Sequence, residues 1–219
     1  KLIPGVDVNN QNIWTAKEAM APKSLPESIT IIGSGAIGIE FASFYNDMGS
    51  KVTVIEMEDR ILPNEDEEVS EIAKSLFIKR GIKFLNNSSL VSVDHLKNNI
   101  ISKVKVNEKI IDIESDKLLV AIGIIGNTKN MGLEKAEIKM ANGHIVTNEK
   151  MCTNIPNIYA IGDVTNPPWL AHKASHEGII ASDKVGCAKI VFIISTSVVS
   201  SVLAILKLLI NSVTSAPII

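Results

Sequence analysis

The spacing of apolar and polar positions predicts a strand, a helix and a second strand between residues 29 and 56. Runs of β-branched residues at 29–32 and 52–55 have the composition of buried strands. Between them, apolar residues recur at spacings of four, three and four, the period of an α-helix, at Ile37, Phe41, Phe44 and Met48. Gly49 follows the last of these and is typical of a helix end, because glycine adopts a positive φ without a steric penalty.

Further elements follow from the same kind of pattern. A short helical stretch is predicted near residues 14–20, where Thr15 and Glu18 have the spacing of a capping box. In chain order, the other predicted elements are a helix over 65–79, a strand at 82–85, a β-meander with segments near 90–93, 100–106 and 109–113, a buried strand over 117–123, hairpin turns at Gly126-Asn127 and Asn142-Gly143, a strand over 157–163 and a helix over 171–184. The pattern predicts an α/β fold, with a Rossmann-like domain over 28–124 that carries the β-meander.

A glycine-rich motif, Gly33-Ser34-Gly35-Ala36-Ile37-Gly38, joins the first strand to the helix. In a dinucleotide-binding turn, Gly33 permits the tight bend, Gly35 lets backbone amides approach a pyrophosphate, and Gly38 lets the helix pack closely on the strand. The start of the helix adds unpaired N–H groups and roughly half a positive charge, which favours an anion. We therefore interpret the motif as a dinucleotide site, with a purely structural turn as the alternative.

An acidic residue follows the second strand of this unit. Glu56 comes eighteen residues after Gly38, the distance at which a carboxylate can accept hydrogen bonds from both hydroxyls of a ribose. A negative charge at this position would repel the 2′-phosphate of NADP. The sequence therefore predicts NAD as the bound nucleotide.

Composition and charge narrow the function further. The 219 residues carry 22 basic and 24 acidic side chains, a net charge of −2, so no nucleic-acid-binding surface is predicted. The two cysteines, Cys152 and Cys187, are far apart and form no CxxC motif, so neither a metal site nor a disulfide is predicted. The first residues, Lys-Leu-Ile-Pro-Gly, lack the features of a signal peptide. We therefore expect a cytoplasmic location, and we interpret these residues as the interior of a longer protein.

The end of the sequence is unlike the rest. Residues 190–206 contain no charged side chain and come close to the length that a membrane-spanning helix needs. Lys189 and Lys207 would then lie near opposite interfaces, and they indicate no orientation. Two interpretations stay open for the tail over 186–219: a membrane anchor through 190–210, or an aberrant end of the gene that is apolar by accident.

Taken together, the motifs resemble those of the pyridine nucleotide-disulfide oxidoreductases, and within that family the bacterial dihydrolipoamide dehydrogenases. The matching blocks are WTAKEA (14–19), GSGAIGIEFASFY (33–45), SKVTVIE (50–56), DRILP (59–63), NMGLE (130–134), TNIPNIYAIGD (153–163) and LAHKA (170–174). The resemblance extends over residues 1–185 without a large gap, and it is incomplete at both ends.

The resemblance implies a division into domains and a set of nucleotide-binding residues. Residues 28–124 would form the NAD-binding domain, flanked by partial FAD-domain segments at 1–27, which ends in a linker, and at 125–185. The apolar tail over 186–219 would lie outside both. The residues implied for NAD, with Val91 and Gly123 on the adenine and nicotinamide sides, are Gly33, Ser34, Gly35, Ala36, Ile37, Gly38, Ile39, Glu40, Glu56, Val91 and Gly123.

The same resemblance implies contacts with a flavin. Asp163 would bond the ribityl chain of FAD, and the segment Trp169, Leu170, Ala171 and His172 would pass along the flavin. Residue preference alone leaves another role open for two of them: Asp163 as a helix or turn cap, and His172 as a histidine on the surface or packed in the core.

For activity, the resemblance implies electron transfer from dihydrolipoamide through a disulfide and FAD to NAD. The implied partners are the lipoyl domains of a 2-oxo acid dehydrogenase complex, and the implied assembly is a homodimer. The sequence lacks the family's FAD-binding GxGxxG, its CxxxxC redox pair, its His-Glu acid/base pair and its dimerisation domain. We therefore assign no catalytic residue and expect weak or no retention of FAD. The alternatives are a catalytically inactive NAD-binding fragment of a split or degraded gene, and a membrane-tethered nucleotide-binding module.

Overall fold

The computed structural model describes residues 3–4, 6–9, 11–185 and 191–194. The chain divides into two compact units, Lys1–Ile124 and Ile125–Ile219. The first unit contains β1 (Ile13–Trp14), α1 (Ala16–Ala19), β2 (Ser28–Ile32), α2 (Ala36–Asp47), β3 (Lys51–Ile55), α3 (Glu67–Lys79), β4 (Lys83–Leu85), β5 (Ser88–His95), β6 (Ile100–Val106), β7 (Lys109–Ser115) and β8 (Lys117–Val120).

A parallel sheet with the strand order β1-β8-β2-β3-β4 forms the centre of the first unit and confirms the predicted α/β fold. Its central strands, β2, β3 and β8, are mostly apolar because both faces of the sheet are covered. Ile31 packs on one face in a cluster with Tyr45, and the next residue, Ile32, packs on the other in a cluster with Ile100. The strand order reverses beside β2, the place where such sheets bind ligands at the carboxyl ends of their strands.

Strands β5, β6 and β7 form the antiparallel three-stranded sheet that the sequence predicted as a β-meander. The register of β5 against β6 shifts between Leu90 and Ser92. Ile100 and Val104 on β6 are fully buried and belong to the same cluster as Leu118 of β8. The meander therefore covers one face of the parallel sheet.

Helix α2 is present where it was predicted, but its buried face is not the apolar series from which it was inferred. Phe44 and Met48 are 50% and 54% exposed, whereas the buried positions are Gly38, Ile39, Ala42 and Tyr45. The two small residues, Gly38 and Ala42, permit close contact with the sheet, and Tyr45 donates a hydrogen bond to the Ala19 carbonyl at 2.7 Å. Close packing therefore decides which side of α2 faces inward.

The predicted capping box at the start of α1 is confirmed. Thr15 accepts a bond from Lys17 N, and the Glu18 carboxylate accepts bonds from the Thr15 N–H and hydroxyl. The residues just before it, Ile13 and Trp14, form the edge strand β1, which the sequence pattern did not predict. Both are almost fully buried, so two residues of pairing with β8 suffice to attach this segment to the sheet.

The second unit contains β9 (Met140–Ala141), β10 (His144–Ile145), β11 (Ile158–Ile161), a 3₁₀-helix (Gly162–Val164), α4 (Ala171–Val185) and β12 (Val191–Ile194). Asn142 and Gly143 join β9 to β10 with φ values of 50° and 81°, which confirms the predicted hairpin turn. The hairpin predicted at Gly126-Asn127 is wrong, because no strand flanks it in the described part of the chain. A Cβ on Gly126 would lie 2.8 Å from the Gly143 carbonyl oxygen, so a close backbone approach explains this glycine.

The apolar tail predicted over 186–219 lies outside the described residues except at Val191–Ile194. These four residues form β12, which pairs in parallel with β11. Among the described residues, no helix combines the length and the apolar character that crossing a bilayer requires.

Candidate functional site

The three glycines of the motif between β2 and α2 are glycine for different structural reasons. Gly33 has φ of 97°, and a Cβ there would lie 2.6 Å from the Ala121 carbonyl oxygen. A Cβ on Gly38 would lie 2.0 Å from the carbonyl oxygen of Gly33. By contrast, no atom of the described residues lies within 4 Å of the Cβ position of Gly35. Packing within the protein therefore explains Gly33 and Gly38, while Gly35 borders open space that another molecule can enter.

The open space lies at the N-terminus of α2. Gly35 is the N-cap residue, and in the part of the chain that the structure describes no side chain caps this end of the helix. The first turn also contains no acidic residue, so no side chain of that turn offsets the helix dipole. Exposed N–H groups and a partial positive charge make such a helix end a binding site for phosphate groups.

Glu56 follows β3, the neighbour of β2, and its carboxylate is hydrogen-bonded to the glycine-rich turn. Its Oε2 atom accepts hydrogen bonds from Ser34 N at 2.8 Å and from Ser34 Oγ at 2.6 Å. Its Oε1 atom accepts a bond from Glu58 N at 3.0 Å. Ser34 is fully buried and Glu56 is 8% exposed. The structure thus brings the predicted ribose acceptor into direct contact with the predicted pyrophosphate turn.

The parallel sheet places three of the predicted residues along one edge. Directly after the carboxyl ends of β2 and β3 come Gly33 and Glu56, and Gly123 lies three residues beyond the end of β8. Gly123 has φ of 94° and is exposed. Val91 is also exposed, at the irregular position of β5. That strand begins at Ser88, whose N–H donates to the Glu56 carbonyl at 2.8 Å, so it starts beside the same edge.

The remaining predicted residues of this site belong to α2. Ala36 and Glu40 are exposed, Ile37 is half-buried, and Ile39 is buried in the core. The structure therefore offers Ala36, Ile37 and Glu40 on the accessible side of the helix start. The side chain of Ile39 serves packing instead.

In the second unit, Asp163 lies in the 3₁₀-helix that follows β11, and it is half-buried. Trp169 stacks on the His144 ring, with centroids 4.9 Å apart, and its Nε1 atom donates to the Thr165 carbonyl at 3.0 Å. Leu170, Ala171 and His172 are exposed at the start of α4. The unit therefore presents Asp163 on a structured turn and the predicted flavin-side segment at a helix start.

Sequence reasoning missed the ion pair that supports this turn. Glu177 is almost fully buried; its carboxylate accepts a hydrogen bond from Gly162 N at 2.7 Å and forms an ion pair with Lys173 Nζ at 2.6 Å. Lys173 also donates to the Asn166 carbonyl at 2.8 Å. The sequence did carry a signal for this pair: Lys173 and Glu177 are four residues apart on a predicted helix, and side chains at i and i+4 lie on the same helix face.

Comparison with known proteins identifies relatives for most of the chain. The family model for pyridine nucleotide-disulphide oxidoreductase matches residues 1–178. The chain is 42% identical over 186 residues to a dihydrolipoyl dehydrogenase of Rhizobium etli, which covers 84% of this chain and 39% of the relative. It is 41% identical over 187 residues to a dihydrolipoyl dehydrogenase of Zymomonas mobilis, and this match covers 84% of this chain and 40% of the relative. The chain thus spans about two fifths of the length of these relatives.

Solved structures show the same similarity. LpdA from Mycobacterium tuberculosis matches with a TM-score of 0.77 and 27% identity, over 88% of this chain and 42% of that one. RclA, an HOCl-induced flavoprotein disulfide reductase from Escherichia coli, matches with a TM-score of 0.74 and 25% identity, over 86% of this chain and 43% of that one.

Proposed function

The chain belongs to the pyridine nucleotide-disulfide oxidoreductase family, and from this membership we propose that its first unit binds NAD. The observation that carries the proposal is the open space at Gly35, beside an uncapped helix N-terminus and next to the Ser34–Glu56 contact. The helix end that favours anions follows β2, and the Glu56 carboxylate follows the adjacent strand β3. These two features match the diphosphate and the ribose of an adenosine diphosphate. These residues fit the nucleotide.

Each part of the site has a separate role in this proposal. The N–H groups at the start of α2, from Ala36 onward, bind the pyrophosphate. Glu56 accepts a hydrogen bond from the adenosine ribose, and its negative charge disfavours the 2′-phosphate of NADP. Val91 and Gly123 line the adenine and nicotinamide sides, and Glu40 lies towards the nicotinamide.

The wider function proposed is the NAD side of a dihydrolipoamide dehydrogenase relay. When bound, NAD supplies the hydride acceptor, and FAD links it to a disulfide that dihydrolipoamide reduces. The proposed partners are lipoyl domains of a 2-oxo acid dehydrogenase complex, in a homodimeric assembly with a cytoplasmic location. The similarity to dihydrolipoyl dehydrogenases of Rhizobium etli and Zymomonas mobilis supports this proposal.

For the flavin, the proposal assigns Asp163 to the ribityl chain and the segment 169–172 to the ring system. The structural support is local: Asp163 follows the carboxyl end of a strand, and the turn that carries it is bonded to α4 through Glu177. Residues 169–172 supply the indole of Trp169 and the first backbone N–H groups of α4.

Nucleotide titration of the full chain tests the proposal. We expect NADH to bind with enhanced nicotinamide fluorescence and more tightly than NADPH. Glu56→Gln removes the charge at nearly constant volume. The affinity for NADH relative to NADPH should fall about tenfold, since a hydrogen bond to a charged group contributes about 1.5–3 kcal/mol. Glu58→Gln is the matched control, because Glu58 is an exposed acid two residues away. Absence of NADH binding by the wild-type chain would contradict the proposal.

A second candidate is an NAD-binding fragment without turnover. The two cysteines of the sequence are far apart, and this favours a chain that does not itself complete the relay. A lipoamide-dependent assay of NADH formation, on the purified chain with FAD added, separates the two candidates. Turnover without another protein would rule out the inert fragment, and NADH binding without turnover would support it.

A further inference from the structure

We propose that Ser34 is a positioning residue for nucleotide preference, acting by holding the Glu56 carboxylate in one orientation. The inference rests on the proposed NAD site and concerns how the site distinguishes NAD from NADP. Ser34 is the second residue of the glycine-rich turn, so its position in the motif would by itself suggest only a backbone role.

The hydrogen bonds to Glu56 leave it little free capacity. A carboxylate has about four acceptor positions, two on each oxygen. Ser34 N and Ser34 Oγ occupy both positions of Oε2, and Glu58 N occupies one position of Oε1. With the donors of the described residues counted, one position therefore remains, on Oε1. In this orientation Glu56 accepts one further bond, so it contacts a single ribose hydroxyl rather than both.

Burial makes the Ser34 hydroxyl important for this orientation. Glu56 is only 8% exposed, so its carboxylate needs protein donors for its charge, because few water molecules can reach it. The Ser34 Oγ–Glu56 Oε2 distance of 2.6 Å is that of a charge-assisted bond. Ser34 is itself held in place, since its carbonyl accepts a bond from Leu62 N at 2.9 Å. The hydroxyl thus anchors the negative charge beside the ribose position.

Loss of the hydroxyl should release the carboxylate. Its Oε2 atom would then lack one donor, and rotation about the side-chain bonds would move the charge towards water. Ser34→Ala should therefore weaken NADH binding and reduce the preference for NADH over NADPH. We expect the preference to fall about tenfold, the effect of one charge-assisted hydrogen bond.

The test compares NADH and NADPH affinities of the full chain by nicotinamide fluorescence. Ser34→Ala is paired with Ser50→Ala as the matched control. Ser50 is also buried, and its hydroxyl also donates a 2.6 Å bond, but to the Pro26 carbonyl at the opposite end of β3. Ser34→Cys keeps the shape of the side chain with a somewhat larger atom and a weaker donor, and it replaces Ser34→Ala should that variant fail to fold.

A double variant separates positioning from a general loss of structure. If Ser34 acts through Glu56, the Ser34→Ala change should leave the nucleotide preference of Glu56→Gln unaltered. The role of Ser34 would be overturned by an unchanged preference for NADH over NADPH in both Ser34 variants, or by an equal change in Ser50→Ala. Either result would leave the proposed NAD site intact. Failure of the wild-type chain to bind either nucleotide would overturn the proposed NAD site, and the role of Ser34 with it.

Discussion

The Gly33 carbonyl oxygen lies so close to Gly38 that a Cβ on Gly38 would be 2.0 Å away from it. The contact joins the end of β2 to the first turn of α2. It holds the helix start next to the carboxyl end of the strand, where the proposed pyrophosphate site lies. The same contact explains why a residue inside a helix is glycine, in spite of the conformational cost.

Gly38→Ala should therefore destabilise the first unit strongly. The added methyl group meets a backbone atom that cannot move independently of the strand, so we expect a loss of about 3 kcal/mol, the upper end for overpacking. Urea denaturation followed by far-UV circular dichroism measures this loss. A variant as stable as the wild type would show that α2 can shift away from β2 without cost.

Gly35→Ala is the matched change in the same turn. Gly35 has φ of −65° and no described neighbour within 4 Å of its Cβ position, so stability should change little, because the lower entropy of the unfolded chain offsets the poorer N-cap residue. NADH affinity should fall nevertheless, because the methyl group occupies space that the pyrophosphate needs. Undiminished NADH binding in this variant would argue against the proposed position of the pyrophosphate.

The Lys173–Glu177 pair should contribute to the stability of the second unit. Lys173→Met leaves the Glu177 carboxylate, 10% exposed, without its cation, and we expect a loss of about 3 kcal/mol, the lower end for breaking a buried pair. Urea unfolding monitored by tryptophan fluorescence measures the change, because Trp169 is bonded to the Thr165 carbonyl of the turn.

Asp47→Asn supplies the control for that pair. Asp47 pairs with Arg80 at 2.5 Å on the surface, where the two side chains are 63% and 37% exposed. Exposed pairs contribute about 0–1 kcal/mol, so this variant should unfold almost as the wild type does. Equal losses from both variants would mean that burial does not distinguish the two pairs.

The capping box predicts a pH dependence that is specific to Glu18. Burial opposes ionisation of its carboxyl, but hydrogen bonds from the Thr15 hydroxyl and N–H outweigh burial and lower the pKa of Glu18 from its ordinary value of 4.5. A lowered pKa means that the ionised group stabilises the fold above pH 4.5. This contribution is lost as the pH falls through the lowered value.

Glu18→Gln should reveal this contribution by comparison. The variant should be less stable than the wild type at neutral pH, and the gap should close in acid as the wild-type carboxyl becomes protonated. Thr15→Ala should cost about 1 kcal/mol at neutral pH, through loss of the N-cap. Urea unfolding across the acid range measures both, and a gap that stays constant with pH would contradict the role of Glu18.

Several elements could be predicted because their signals are local. The capping box at Thr15, the turn at Asn142-Gly143 and the meander strands each depend on residues a few positions apart. Predictions failed where contact with a distant segment decided the outcome. Gly126 is glycine because the Gly143 carbonyl approaches it, and no pattern around residue 126 indicates that contact.

The sequence by itself determined an α/β fold, a glycine-rich turn before a helix and an acid at the distance typical of NAD sites. These features are periods and spacings along one stretch of chain. Only the tertiary structure decided which face of α2 is buried and which atoms bond to Glu56. Ser34 and Glu56 are 22 positions apart, and the parallel pairing of β2 with β3 brings them to one edge of the sheet. The orientation of the carboxylate then depends on the donors around it, which no residue spacing specifies.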